Sequence, residues 1–259
     1  MTYEHIRLER SPADVATITI ARPERLNALS GQSVDELRAA VEEAGASGAR
    51  CLLLTGEGRG FSSGADLASG GGLPADAGAA LEKHFNPLVE AMFALPIPIV
   101  AAVNGPCAGA GCSLALAADI VIAGRSAYFM QAFVNIGLIP DAGATWLLPR
   151  LAGRARALEM MMLGERIPAE KALEWGMISR VVDDEDLASE SVALATRLAE
   201  GPTVALGLIR KLAREAAQSS LADALAAERA AQREAGASED FRKGVAAFIQ
   251  KTPPRFSGR

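Results

Sequence analysis

The sequence predicts an α/β layered core followed by a helical C-terminal region, and three observations carry that expectation. Short β-type runs dominate the first half, amphipathic segments separate them, and strand signals nearly vanish from about Pro168 onward. At 259 residues, half of them hydrophobic, the chain suits one large domain or a domain with an appendage.

The elements follow in order. β-type runs fall at Thr17-Ile20, Cys51-Leu54, Ile99-Val103 and Ile120-Ala123. Helical patterns lie between them, at Ser33 to Ala44 and Leu81 to Ala94, and a further helix is expected around Leu114-Ala117. Beyond Pro168 come Asp186 to Ala199, Thr203 to Ala217, Leu221 to Ala235 and Glu239 to Gln250, all Ala-rich and helix-periodic. No sequence repeat stands out, although strand-strand-helix units could still stack as a spiral. The segment Ser69-Gly70-Gly71-Gly72-Leu73-Pro74 reads as a mobile flap or insertion.

Composition excludes several classes of function. A net charge of −5 offers no electrostatic footing for nucleic acid or an anionic membrane surface. The longest apolar run, Leu95 to Val103, is broken by Pro96 and Pro98 and falls short of a membrane span. Cys51, Cys107 and Cys112 lack metal-ligand spacing, and an odd count without a signal-like N-terminus points to a reducing cytoplasm. His5 and His84 are too few to complete a zinc site with these cysteines, and His84 reads as structural.

Two glycine-punctuated stretches follow buried strands. Residues 60 to 67 read Gly-Phe-Ser-Ser-Gly-Ala-Asp-Leu, and residues 104 to 112 read Asn-Gly-Pro-Cys-Ala-Gly-Ala-Gly-Cys. Small residues admit a ligand close to the backbone, and a helix start presents free N–H groups. Two such places could pinch one oxygen, although close helix–strand packing also explains the glycines. Neither stretch has a P-loop lysine, and Gly109-Ala110-Gly111 is not the dinucleotide fingerprint. Asp66 and Asp119 beside them read as caps or turn residues. The remaining informative acid is Asp141, in the apolar turn Ile-Gly-Leu-Ile-Pro-Asp-Ala-Gly at 136 to 143. It reads either as the cap of the following helix or as a desolvated carboxyl poised to move protons.

These motifs resemble the crotonase, or enoyl-CoA hydratase/isomerase, superfamily from about Ile18 to Gly258. Arg22-Pro23-Glu24-Arg25-Leu26-Asn27-Ala28-Leu29 is similar to its N-terminal signature. Gly64-Ala65-Asp66 and Asn104 through Gly111 resemble its two oxyanion loops, and Gly244 to Phe248 with Lys251 its C-terminal helix. The resemblance implies a spiral of strand-strand-helix units over residues 1–200 and a helical trimerisation region over 201–259. It implies that the Ala65 and Ala110 amides bind a thioester oxygen. Arg25, Asp66, Leu67, Phe133, Phe248 and Lys251 would contact the acyl-CoA, with Phe248 and Lys251 acting across a subunit boundary. For Arg25, Phe248 and Lys251, ordinary surface or helix packing is the competing reading. No cofactor is implied beyond the CoA carried by the substrate, and the partner implied is a further copy of the chain, as a trimer or dimer of trimers.

The departures from the family pattern narrow the chemistry. Hydratases of the family carry glutamates at the positions of Ser113 and Phe133, and neither is a carboxylate here. Hydration by the standard route is therefore not expected. The Ile-Pro-Asp turn, the stretch through Arg150, Glu174-Trp175-Gly176-Met177-Ile178 and the tail Pro254-Arg255-Phe256-Ser257-Gly258 resemble the phenylacetate-degradation branch, that of ring-1,2-epoxyphenylacetyl-CoA isomerase. That likeness implies isomerisation through a thioester enolate with Asp141 as base. The alternatives are a hydratase with non-standard acid and base residues, a dehalogenase whose aspartate attacks an aromatic ring, or a non-catalytic acyl-CoA-binding scaffold.

Overall fold

The computed structural model describes residues 2–67 and 76–259, so the Gly-rich segment expected to be mobile lies outside the described residues. The chain opens with β1 (Ile6–Arg10), β2 (Val15–Ile20), α1 (Gly31–Ala46) and β3 (Cys51–Gly56). Next come α2 (Asn86–Ala94), β4 (Ile99–Val103), β5 (Pro106–Ala108), α3 (Gly109–Leu116), β6 (Ile120–Gly124) and β7 (Tyr128–Met130). A short 3₁₀ segment (Ala132–Ile136) leads into α4 (Ala144–Leu151) and α5 (Arg154–Leu163). The series continues with β8 (Ile167–Pro168), α6 (Ala169–Glu174) and β9 (Arg180–Val182). It ends with α7 (Leu187–Ala199), α8 (Thr203–Ala216), α9 (Leu221–Ala237) and α10 (Glu239–Gln250).

Among the described residues the main sheet has six strands in the order β1-β2-β3-β4-β6-β9, antiparallel at β1–β2 and parallel elsewhere. Its central strands are buried on both faces, which explains their unbroken apolar runs. Alternation along each strand then separates two cores. Leu52, Leu54, Ile99 and Ala101 face α1, α2 and α3, whereas Cys51, Leu53, Val100 and Ala102 face Leu187, Leu194 and Ala195 of α7. A second sheet, β5-β7-β8, carries the small strands. The four strands predicted from sequence all form. The five that were not predicted (β1, β5, β7, β8 and β9) run from two to five residues, too short or too charged for a period-2 signal.

Local chemistry sets the helix starts. Ser30 and Ser33 exchange side-chain hydrogen bonds at the N-terminus of α1, a reciprocal cap. α3 begins at Gly109, earlier than the predicted Leu114, and all eight of its residues are buried. A helix apolar on every side has no amphipathic signature, so periodicity misses its first turn. The segment ahead of α2 opens with a π-helical turn (Leu81–Phe85), where His84 Nδ1 lies 2.8 Å from Asp35 Oδ1 and so ties α2 to α1.

Asp119 is not the simple cap or turn residue expected. Its carboxylate accepts from the Ile99 amide at 2.7 Å and pairs with Arg210 at 2.6 Å and Arg214 at 2.8 Å. At the far end, Asp240 of α10 accepts hydrogen bonds from the Ser257 and Gly258 amides, and Arg50 donates to the Phe256 carbonyl. The tail motif thus clips α10 to the edge of β3.

Candidate active site

The site is assembled on two backbone turns that the fold presses together. Ala108 N–H donates to the Ser62 carbonyl at 2.9 Å, and Ser62 and Cys107 form an isolated parallel bridge. Gly64 has φ +94°, and a Cβ there would stand 2.9 Å from the Ala108 carbonyl oxygen. A side chain at Gly111 would overlap Ser62, with Cβ atoms 2.5 Å apart. The glycines of both stretches therefore serve a close approach of one turn to the other. Ligand access and packing, the two sequence readings, need the same residues.

Each turn presents an unspent amide, Ala65 in one and Ala110 in the other. Leu29 and Ala65 form a parallel bridge in which Leu29 N–H donates to Gly64 and Asp66 N–H donates to Leu29, at 2.8 and 2.9 Å. That pattern turns the Ala65 N–H away from the Leu29 strand. Ala110 is the second residue of α3, where an N–H has no carbonyl one turn back to receive it. Neither amide has a hydrogen-bond partner among the described residues. The helix macrodipole adds partial positive charge at Ala110.

Phe133 forms the wall beside this pair. Its ring comes within 3.7 Å of where a Cβ on Gly109 would sit, and the residue is buried. Ser113, on the next turn of α3, is wholly buried and donates to the Gly109 carbonyl at 3.3 Å. Neither position where a hydratase glutamate was sought is thus occupied by a carboxyl group.

Asp141 follows in the turn between the 3₁₀ segment and α4. It is not a cap: the N-cap of α4 is Gly143, and no side-chain cap bond is made there. Ala142 (φ +49°) and Gly143 (φ +84°) are both left-handed, an arrangement costing about 1–2 kcal/mol at the alanine. The Asp141 carbonyl accepts the Ala144 amide at 3.0 Å and holds the turn. Its side-chain Oδ1 is buried with no hydrogen-bond partner among the described residues, and this burial raises the carboxyl pKa to about 6. Val89 of α2 stands 3.7 Å from where a Gly143 Cβ would lie, packing an apolar side chain against the turn. Chemistry that needs the Asp141 carboxylate should rise about tenfold per pH unit up to about pH 6 and level off above. A kcat/KM profile flat from about pH 5 to 8 would assign the proton to another group.

The other predicted site residues are spread more widely. Arg25 is exposed on the 3₁₀ turn Pro23–Arg25, whose last carbonyl accepts the Ser63 hydroxyl. Leu67 is two-thirds exposed at 67%. The Asp66 carboxylate pairs with Arg22 at 2.9 Å with only 3% of its side chain exposed, which turns it inward rather than toward a ligand. Phe248 (85% exposed) and Lys251, the left-handed cap of α10, lie on the C-terminal helix, which packs on α9. Sequence reasoning overlooked Gln131, a wholly buried amide whose two polar atoms lack partners among the described residues. It also overlooked Arg22 as more than a motif letter; no periodic signal marks either. Among the described residues no group of three His, Cys, Asp or Glu side chains is arranged to hold a metal ion.

Paired free amides at the junction of two strand-to-helix turns, in an α/β layered core with a helical C-terminal region, define a crotonase-fold protein. Comparison with known proteins agrees. A crystal structure of a putative enoyl-CoA hydratase/isomerase from Mycobacterium abscessus superposes with a TM-score of 0.93 at 41% identity, covering 98% of this chain and 100% of that one. The family model for enoyl-CoA hydratase/isomerase matches residues 10–259, and the chain belongs to that family. It is 49% identical to the 1,2-epoxyphenylacetyl-CoA isomerase of Escherichia coli K12, over 95% of each chain. It is 46% identical to a probable enoyl-CoA hydratase of Rhodobacter capsulatus, over the full length of both.

Proposed function

We propose that this family member is an acyl-CoA isomerase working through a thioester enolate, with ring-1,2-epoxyphenylacetyl-CoA or a 3-enoyl-CoA as substrate. The observation carrying this reading is Asp141: a carboxyl with a buried, unpartnered oxygen and a raised pKa, in a chain that has Ser113 and Phe133 where the resemblance would place the hydratase glutamates. In the proposed scheme the thioester oxygen lies between the Ala65 and Ala110 amides, which stabilise the negative charge formed when a proton leaves C2. Asp141 takes that proton. For a 3-enoyl chain it returns the proton at C4 as the double bond moves from 3,4 to 2,3, so nothing is gained or lost. For the ring epoxide, the analogous rearrangement gives the seven-membered oxepin thioester. No metal or redox cofactor enters the scheme, and CoA arrives with the substrate. The dry wall of Phe133 suits an aromatic ring and strengthens the electrostatics at the enolate.

Arg25 and the Asp66–Leu67 backbone are assigned to the near part of the CoA thioester. Phe248 and Lys251 are assigned to a neighbouring protomer's CoA, in a trimer or dimer of trimers built on residues 201–259. Support comes from the apolar face of α10, where Phe241, Val245, Phe248 and Ile249 are all exposed in the protomer.

The test offers the wild-type protein a cis-3-enoyl-CoA and, separately, crotonyl-CoA. Isomerisation should proceed with hydration at least about 100-fold slower, the scale on which a missing general acid–base group is felt. Ready hydration of crotonyl-CoA would overturn the isomerase reading in favour of a hydratase with non-standard residues.

A further inference from the structure

The Arg22 guanidinium spans both sides of the Leu29–Ala65 bridge. Its Nη1 donates to the Ala28 carbonyl, and its Nη2 donates to Asp66 Oδ2 at 2.9 Å. Ala28 precedes one member of the bridge and Asp66 follows the other, so a single planar fork fixes the separation and tilt of the two segments. The pair is shielded, with 11% of the Arg22 and 3% of the Asp66 side chain exposed. Such shielding makes its loss costly and its geometry firm.

The rest of the frame is equally specific. Asn27 is wholly buried; its Oδ1 accepts the Arg22 amide at 2.9 Å, and its Nδ2 donates to the Glu57 and Gly60 carbonyls at 3.0 and 2.8 Å. Leu26 and Asn27 both take left-handed backbone angles, φ +51° and +56°, which fold the segment back toward the 62–66 turn. Ser63 N–H then donates to the Leu26 carbonyl at 2.9 Å, and the Ser62 hydroxyl donates to the Asn27 carbonyl at 2.8 Å. The turn carrying the Ala65 amide is held on one side by Pro106–Ala108 and on the other by Arg22–Leu29.

We infer that Arg22 is a positioning residue: through Asp66 and the Ala28 carbonyl it aims the Ala65 N–H at the substrate's thioester oxygen. The inference rests on the reading of Ala65 as an oxyanion donor given above. Arg22 itself touches no reacting atom. Its contribution is made in the transition state, because a donor displaced by a fraction of an ångström still permits CoA binding but stabilises the enolate less well.

The experiment uses the full-length protein and the Arg22→Gln and Arg22→Lys variants, with two readouts. The first is isomerisation of a cis-3-enoyl-CoA. Arg22→Gln should lower kcat about 10- to 100-fold, part of the loss that follows removal of an oxyanion donor, with KM changed less than about threefold. Arg22→Lys, which keeps the charge but cannot span both acceptors, should fall between the two. The second readout is the absorption maximum of a bound cinnamoyl-CoA, a conjugated thioester whose red shift reports polarisation of its carbonyl. The wild type should show the shift and Arg22→Gln should lose most of it. An unshifted spectrum in the wild type would refute the oxyanion reading itself. A full shift in the wild type that persists in Arg22→Gln would refute the role of Arg22 while leaving that reading intact. Equal loss of kcat and CoA affinity, with the shift retained, would make Arg22 merely structural. Should Arg22→Gln not fold, a full shift in Arg22→Lys together with wild-type kcat would refute the inference.

Discussion

Replacing Asp141 with asparagine is expected to lower isomerisation by about 10³- to 10⁴-fold, at the upper end of what a positioned acid–base group contributes. CoA affinity should stay nearly unchanged, because the side chain acts on C2 and C4 rather than on the nucleotide. Measurement of kcat and KM for a cis-3-enoyl-CoA, alongside binding of a saturated acyl-CoA, checks both parts. Stability should move the other way. The Asp141 pKa is raised by burial to about 6, so the folded state holds its proton more tightly than the unfolded chain does. Its stabilising contribution is present below pH 4 and is lost as pH rises through 6. Asparagine carries no such dependence, so the variant should melt higher than wild type at pH 7.5, with the gap closing toward pH 4. Melting curves at the two pH values read this directly. Activity insensitive to the substitution would assign the proton to another group, whereas acyl-CoA binding without turnover in wild type and variant alike would leave an acyl-CoA-binding scaffold as the better account.

The second large effect concerns stability alone. Removing Arg210 with Arg210→Ala should cost about 3–5 kcal/mol, the range for breaking a buried ion pair from one side. Arg210 is 6% exposed and donates to the Asp119 carboxylate and to the Met92, Phe93 and Leu95 carbonyls around the C-terminal end of α2. Arg214 donates to the Phe93 and Ala117 carbonyls as well as to Asp119, and its side chain lies over the Phe93 ring at 4.2 Å. Its pKa is lowered to about 10, first by burial and then by the neighbouring Arg210 charge. Two cations therefore depend on one carboxylate and on two helix C-termini, whose carbonyls carry partial negative charge. Urea unfolding of wild type, Arg210→Ala and Arg210→Lys tests this. Lysine should recover less than half, since one ammonium cannot reach four acceptors in different directions. A change below about 1 kcal/mol would show that the cluster is solvated in solution.

Phe133 and Ser113 show what could be read early. Neither side chain is a carboxylate, so the expectation against hydration by the standard route could be stated before any coordinate. The central strands were equally plain, because a run such as Ile99–Val103, buried on both faces, has nowhere else to go. Small residues after strands marked the two stretches as places where amides could face a ligand, and the family resemblance singled out Ala65 and Ala110 within them. Their freedom, however, follows from the Leu29–Ala65 bridge and from the start of α3 at Gly109, which depend on chain segments far apart in sequence.

Asp141 and Asp119 mark the limit most clearly. Both are aspartates at the edge of an apolar run, and for both a cap was one of the readings. In the folded protein one has a buried oxygen with no partner among the described residues, and the other is gripped by two arginines some ninety residues away. The sequence by itself determined the layered α/β class, the helical C-terminal region and which side chains are chemically able to move a proton. These depend on residue type and short-range period, which are local properties. Only the tertiary structure decided which carboxylate is left without a charge partner, which amides stay free and which arginine braces them. Each of those is set by what packs on the other side, and desolvation and hydrogen bonding act over a few ångströms of space whatever the distance along the chain.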